Sequence, residues 1–368
     1  SYLYLRDVIS GQLWSAGYQP TTATPDHYEV VFAEDRVRIT RTDGHIASTL
    51  EIVISPEDDA EIRRLSLTNN GSRVREIEVT SYMEIVLAPM PADIAHPAFS
   101  NLFVQTEYLP QSHGLIAQRR QRSESDQKIW IAHVLAGPKT GDGLQYETDR
   151  SRFVGRGQTL QEPIALMDGR PLTNTVGNVL DPIFSLRTRV SIAPGATEHL
   201  TFTTLVATTR PLVAELADKY HNLTTWDRVS ALAWTHAHVQ LRHLRIQPSE
   251  AQLFQDLASR LLYADPWLRP SSKLMQMNNL SVTGLWQRGI SGDRPIVLLR
   301  IAESEDRTIV EQLLRAHEYW RMKGLAVDLV ILNEKELSYA GDLQTLLEGM
   351  VRENQALSAH QEHADHGA

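Results

Sequence analysis

The sequence predicts a multidomain, mainly β protein: a large antiparallel β-sandwich, a helical linker, and then a small α/β module. Three observations predict it. Residues 1–208 alternate apolar and polar side chains with a period of two, as in HYEVVFAEDRVRITRTD, HIASTLEIVIS and IFSLRTRVSIAPGATEHLTFTTLVAT, which marks half-buried strands. Turn signals separate the runs, at Asp43-Gly44, Asn69-Asn70-Gly71-Ser72 and Ala193-Pro194-Gly195. Composition then changes to helical spacing at Arg210-Pro211, and after Pro295 to short apolar strands alternating with helices. A chain of 368 residues has room for two or three domains.

The sandwich is expected at 1–208, because many antiparallel strands over that length favour two packed sheets. Within it, LSLTNNGSRVREIEVTSYMEI reads as a hairpin. Residues 89–128 are less regular and hold long loops, which on a sandwich carry binding function. Arg119-Arg120-Gln121-Arg122 reads there as solvated surface. Residues 209–284 are expected as a helical linker, through LVAELADKYHNL, TTWDRVSALAWTHAHVQLRHL and PSEAQLFQDLASRLLYA. Thr224 or Thr225 suits the cap of the second helix, and Ser249 with Glu250 the start of the third. Residues 285–355 are expected as the α/β module. PIVLLRI and LAVDLVILN are dominated by apolar residues, and between them EDRTIVEQLLRAHEYWRMKG is a helix closed by Gly324. That order predicts a parallel βαβ unit buried on both faces. The polar tail, 356–368, is expected to be disordered.

Composition narrows function. The net charge is −9, with 36 basic and 45 acidic residues, so no general attraction to nucleic acid is expected. There are no cysteines, which excludes disulfides, thiolate metal sites and a cysteine nucleophile, and agrees with a reducing compartment. No stretch of about 18 apolar residues is present to span a bilayer. The abrupt, strand-like opening SYLYLRD carries no signal peptide and is expected to belong to something longer.

Candidate chemistry is sparse. In LWQRGISGDRPIVLLRI, Gly289-Ile290-Ser291-Gly292-Asp293 resembles a ligand loop, yet it precedes a strand, whereas a phosphate cradle follows one and opens a helix. It reads as a turn with glycines at positive φ, or as a contact to a sugar or an adjoining domain. His236 and His238 point about 200° apart on one helix and cannot share a metal. His243 is two turns from His236, and His360, His363 and His366 sit in the tail. No metal site and no cofactor are expected. There is no Gly-x-Ser-x-Gly elbow for a serine hydrolase. Trp14, Trp130, Trp267 and Trp286 lie near turns or strand ends, where a ring serves either the core or a sugar platform.

Several stretches carry a family resemblance. YLYLRDVISGQLWSAGYQP and IVISPEDDAEIRRLSLTNNGSRVREIEVTSYMEIVLA resemble the N-terminal sandwich, or supersandwich, of the glycoside phosphorylases of glycoside hydrolase family 94, formerly glycosyltransferase family 36. ADIAHPAFSNLFVQTEYLP, LQYETDRSRFVGRG, GNVLDPIFSLRTRV, LFQDLASRLLYADP, GLWQRGISGDRPIVLLRI and LLRAHEYWRMKGLAVDLVILNE are similar to the middle region of bacterial cyclic β-1,2-glucan synthases, over about residues 2–355. The resemblance implies a large inner-membrane protein that builds β-1,2-glucan from UDP-glucose and controls chain length with a phosphorylase-like module. This chain would lie on the cytoplasmic side, itself soluble and without direct membrane contact.

The family's general acid sits on a helical barrel. The string nearest to that motif here, Leu5-Arg6-Asp7-Val8, belongs to the sandwich, so no catalytic residue is transferred. Phosphorolysis needs an acid to protonate the glycosidic oxygen. The expectation is therefore a non-catalytic, carbohydrate-binding and scaffolding piece. Its partners would be β-1,2-glucan or a related glucoside and the neighbouring catalytic domains of the same polypeptide. Arg6, Asp7, Trp14, Glu84, His96, Trp286 and Asp293 are the candidate sugar contacts. The alternatives are a self-sufficient phosphorylase or hydrolase of the same family type, and a purely structural spacer or oligomerisation module.

Overall fold

A computed structural model describes residues 1–121, 128–137, 143–167, 169–263, 265–335 and 342–365. The chain divides into two compact units, Ser1–Ala237 and His238–Ala368.

The first unit is a two-sheet sandwich. Its five-stranded sheet has the order β11-β12-β7-β1-β2, from β1 (Tyr2–Asp7), β2 (Leu13–Ser15), β7 (Arg75–Glu84), β11 (Gln145–Asp149) and β12 (Pro182–Ile192). The eight-stranded sheet has the order β3-β4-β5-β6-β13-β10-β9-β8. It comprises β3 (His27–Phe32), β4 (Arg36–Asp43), β5 (Ile46–Ile54), β6 (Ala60–Asn69), β8 (Val104–Leu109), β9 (Gly114–Arg119), β10 (Trp130–Ala136) and β13 (Thr197–Ala207). The pairings described in both sheets are antiparallel.

Alternation along the strands sets the layers. Leu65 and Leu67 of β6 face Leu5, Ile77, Val79, Phe184 and Leu186 in the core between the sheets. Ala60 and Ile62 of the same strand point outward, under Val213, Ala217 and Tyr220 of α5 (Arg210–Tyr220) and Trp226 and Val229 of α6 (Thr225–His243). Short helices α1 (Met90–Ala95) and α2 (Pro97–Asn101) follow β7, while α3 (Arg150–Val154) and α4 (Ile164–Met167) follow β11. Phe153, Val154 and Leu166 of α3 and α4 cover Tyr4, Tyr82 and Ile183 on the outer face of the five-stranded sheet.

The hairpin expected across Asn69-Asn70-Gly71-Ser72 is corrected. β6 lies in the eight-stranded sheet and β7 in the five-stranded one, so the turn is an arch between layers. A second arch joins β12 to β13 through Ala193-Pro194-Gly195, and the two meet at fully buried Asn69. The Asn69 side-chain amide donates to the carbonyls of Arg73 (2.7 Å) and Ile192 (2.9 Å), and its Oδ1 accepts from Gly71 N (2.9 Å). The Asn69 backbone takes a bond from Gly195 N (2.8 Å) and gives one to Ala196 O (3.1 Å). Those bonds satisfy a chain that leaves one layer and enters the other, a task a hairpin does not have.

In the second unit, α7 (Pro248–Leu262) starts from Gln247, with Glu250 closing a capping box. Gln247 therefore takes the role expected of Ser249. After α8 (Ser272–Gln276) and α9 (Thr283–Trp286), β14 (Ile296–Ile301) and β15 (Asp328–Asn333) pair in parallel, with α10 (Arg307–Met322) between them in sequence. The βαβ order agrees with the sequence. Gly324, at φ 78°, closes α10 as expected.

Burial on both faces does not hold for this pair. Leu299 and Ile301 pack with Val310 and Leu314 of α10 and with Leu343 and Leu347 of α11 (Asp342–Asp365). On the opposite side Leu298 is 55% exposed, so that face is not fully covered by the described residues. α11 runs on to Asp365, into the stretch expected to be disordered. Residues 366–368 lie outside the described ones.

Candidate functional site

One set of polar groups that converges at the surface of the first unit lies at one end of the five-stranded sheet. Glu84 ends β7, Asp181 precedes β12 beside it, and Arg150 opens α3. A register shift between Glu147 and Asp149 bends β11 here. Glu147 Oε1 accepts from the N–H groups of Thr148 and Asp149, each at 3.0 Å. Asp149 then caps α3 by accepting from Ser151 N at 2.8 Å. This local geometry brings Arg150 onto the end of β7.

Arg150 Nε donates to Tyr82 Oη (3.2 Å) and to Glu84 Oε1 (3.1 Å), and its Nη1 lies 3.7 Å from Asp181 Oδ2. Tyr82 Oη donates to Glu84 Oε1 at 2.8 Å. Asn101 Nδ2, brought in by α2, lies 3.3 Å from Asp181 Oδ1. The Tyr2 ring stacks on Tyr82, with centroids 6.3 Å apart and planes 18° off parallel. Burial, followed by the charges of Glu84 and Asp149, raises the Asp181 carboxyl above its ordinary range, against the pull of Arg150. Burial, and then the bond to Glu84, raises the Tyr82 phenol. Glu84 and Asp181 are both about half exposed. The rim therefore offers carboxylate acceptors and guanidinium and amide donors beside a tyrosine pair, a set suited to sugar hydroxyls.

The residues singled out from sequence scatter. Only Glu84 belongs to this rim. His96 is exposed at the junction of α1 and α2, where its carbonyl accepts from Ser100 N at 3.0 Å. Asp7 and Arg6 pair across from Ile77 and Glu78, at the far end of β7, roughly 20 Å from Glu84 at the rise of a strand. Asp7 is a buried anchor and not a sugar contact. Its Oδ1 accepts from Ile9 N (2.9 Å) and Ser10 N (2.8 Å), and Arg75 lies 2.8 Å from its Oδ2. Trp14 is corrected too: it is 2% exposed within the core between the sheets, so neither ring face is open to a sugar.

Trp286 and Asp293 belong to the second unit. Trp286 is exposed, and its Nε1 donates to Ser291 O at 3.0 Å. Gly289 and Gly292 have φ of 74° and 79°, as a turn feeding β14 requires. Trp130 is buried, and Trp267 is 94% exposed. Arg119 does not sit free in solvent, because its Nη1 donates to Ser100 O at 2.8 Å, while Arg122 lies outside the described residues. Among the described residues no group of three or more His, Asp or Glu side chains is arranged to hold a metal ion.

Sequence reasoning missed Arg150, Asp181, Asn101 and Tyr2. The signal for all four was at hand, since Tyr2, Asn101, Arg150 and Asp181 lie inside stretches that carried the resemblance, YLYLRDVISGQLWSAGYQP, ADIAHPAFSNLFVQTEYLP, LQYETDRSRFVGRG and GNVLDPIFSLRTRV.

A large antiparallel two-sheet sandwich defines the class of the first unit. Residues 1–223 match the glycosyl hydrolase 94 supersandwich domain, and the chain belongs to that family. It is 39% identical over 351 residues to the cyclic beta-(1,2)-glucan synthase NdvB of Rhizobium meliloti (strain 1021), covering 95% of this chain and 12% of the relative. It is 27% identical over 204 residues to the solabiose phosphorylase of Paenibacillus borealis, covering 55% of this chain and 25% of that protein. With the N,N'-diacetylchitobiose phosphorylase of Vibrio furnissii it shares 24% identity over 232 residues, 62% of this chain and 28% of the relative. The chain thus spans between about an eighth and a quarter or so of the lengths of these proteins.

Proposed function

We propose that this chain is a non-catalytic, glucan-binding and scaffolding part of a larger enzyme that makes or trims β-1,2-glucan. The observation that carries the reading is the rim, where Arg150 joins Tyr82, Glu84 and Asp181 at the end of the five-stranded sheet. Neutral sugars are held by paired donors and acceptors, and the rim has both, while the buried Tyr82 ring supports them from beneath. The likeness to a cyclic beta-(1,2)-glucan synthase favours β-1,2-linked glucose as the ligand. Neighbouring domains of the same polypeptide would be its protein partners. Its place would be the cytoplasmic side of a bacterial inner membrane, as the resemblance implies. No described helix is long and apolar enough to cross a membrane.

The test is calorimetric titration of the chain with linear and with cyclic β-1,2-glucans. Saturable heat that disappears in Arg150→Met supports the reading; no heat at millimolar sugar leaves only a structural spacer. Incubation with β-1,2-glucan and phosphate tests the enzyme alternative. Release of glucose 1-phosphate above background would replace a binding role with catalysis.

A further inference from the structure

The outer face of the five-stranded sheet carries a second polar feature near the other end of β7. Glu78, Gly143, Gln145, Arg187, Thr188 and Arg189 line a cavity of about 300 Å³. Glu78 is 4% exposed, and its Oε2 accepts from Arg189 Nη2 at 3.2 Å. Its Oε1 is buried and takes no hydrogen bond. The cations near that oxygen, Arg187 Nε at 3.6 Å and Arg6 Nη1 at 3.9 Å, attract it from beyond hydrogen-bond reach.

Arg187 commits its donors elsewhere, to Thr80 Oγ1 (3.1 Å) and to the carbonyls of Arg170 (2.9 Å) and Ala165 (2.6 Å). A buried carboxylate oxygen without a donor is costly, and a ligand that brings one relieves the cost. Arg189 stands at the same carboxylate and is half exposed, so an acceptor on the ligand finds a guanidinium beside the orphaned oxygen.

We propose that this cavity binds a single glucosyl unit. One hydroxyl donates to Glu78 Oε1, and its neighbour on the ring accepts from Arg189 or from the Gln145 amide. A vicinal diol supplies a donor and an acceptor about one hydrogen-bond length apart, matching the carboxylate–guanidinium pair. Phosphate fits less well, because its oxygens are mainly acceptors and would face the Glu78 carboxylate. The volume is at the low end for small-ligand sites, which suits one ring and not a chain. The choice of glucose among polyols rests on the proposed glucan-binding role; the demand for a hydroxyl donor rests on Glu78 alone. Along β7 the cavity is roughly 20 Å from the Glu84 rim, so the two sites are separate.

The experiment is an amide NMR titration of the whole chain with glucose, with the β-1,2-linked disaccharide and with inorganic phosphate. Glucose is expected to shift the Gln145, Thr188 and Arg189 amides saturably. Arg189→Met and Glu78→Gln should each weaken that response by about tenfold or more. Arg189→Met is the informative variant if Glu78→Gln fails to fold, because its side chain is half exposed. Absence of shifts at those amides, an unchanged response in Arg189→Met, or the same shifts with phosphate in place of glucose would overturn the proposal. Shifts at Glu84, Arg150 and Asp181 in the same spectra report the rim, so either site can fail without the other.

Discussion

His133 Nε2 lies 2.9 Å from Ser81 Oγ, so one imidazole links β10 of the eight-stranded sheet to β7 of the five-stranded sheet through the core. Its other nitrogen lies 3.0 Å from Thr204 Oγ1, and its ring is flanked by Phe184 and Phe202. Both hydroxyls can donate or accept, so the neutral ring is satisfied in either tautomer. Protonation is another matter, because burial lowers its pKa from 6.5 to about 3.

That shift makes stability depend on pH. Between about pH 3 and 6.5 the unfolded chain holds a proton on this residue that the folded chain refuses, so acid favours unfolding. Stability is fully present above the unfolded value and falls toward pH 3, by up to about 1.4 kcal/mol per pH unit from this group. Urea denaturation at several pH values should show that slope in the parent and a shallower one in His133→Gln. Parallel profiles would dismiss His133 as the source.

Asn69 holds both arches. Asn69→Ala removes the donors to Arg73 O and Ile192 O and should cost about 1–3 kcal/mol, chiefly from the buried Ile192 carbonyl left unpaired. Asn69→Asp should be worse, since it turns an acceptor toward those carbonyls. Chemical denaturation measures both, and a loss below about 0.5 kcal/mol would show the arches to be held by their backbone bonds.

Trp14 and Trp286 should separate cleanly. Trp14→Ala opens a cavity in the core and is expected to cost about 3–5 kcal/mol. Trp286→Ala loses an exposed ring and one bond to Ser291 O, worth about 0.5–1.5 kcal/mol. Thermal unfolding of the two variants decides it, and equal losses would contradict the burial difference.

At the rim, Arg150→Met should lower affinity for β-1,2-glucan about tenfold or more. Its ion pairs are solvent-exposed, so stability should move by less than about 1 kcal/mol. Calorimetry and denaturation of the same sample test both halves. Unchanged affinity would place sugar binding elsewhere on the chain.

The strands were legible because alternation is local: IEVTS in β7 reads as in–out without any knowledge of partners. Which sheet a strand joins is not local. The arch at Asn69 looks like a hairpin turn because the same Asn-Gly signal serves both, and only the bond from Asn69 to Ile192 O distinguishes them. The βαβ unit was legible from PIVLLRI and LAVDLVILN, but an apolar run does not record whether both faces are covered, and Leu298 is open. Trp14 sits near a turn, as a platform would, yet its ring points inward. The rim escaped because Glu84, Arg150 and Asp181 are far apart in sequence and are joined by a bulge in β11 that periodicity does not encode.

The paired arches also have a consequence for synthesis. β6 finds its far neighbour only in β13, and β7 one of its own only in β12. A ribosome adding about 5–20 residues per second needs on the order of ten seconds to travel from Asn69 to Ala207. Throughout that interval the emerging chain presents the edge of β6 with no strand to close it. Slower translation prolongs that exposure, so yield should depend on elongation speed and on chaperones that shield an open edge.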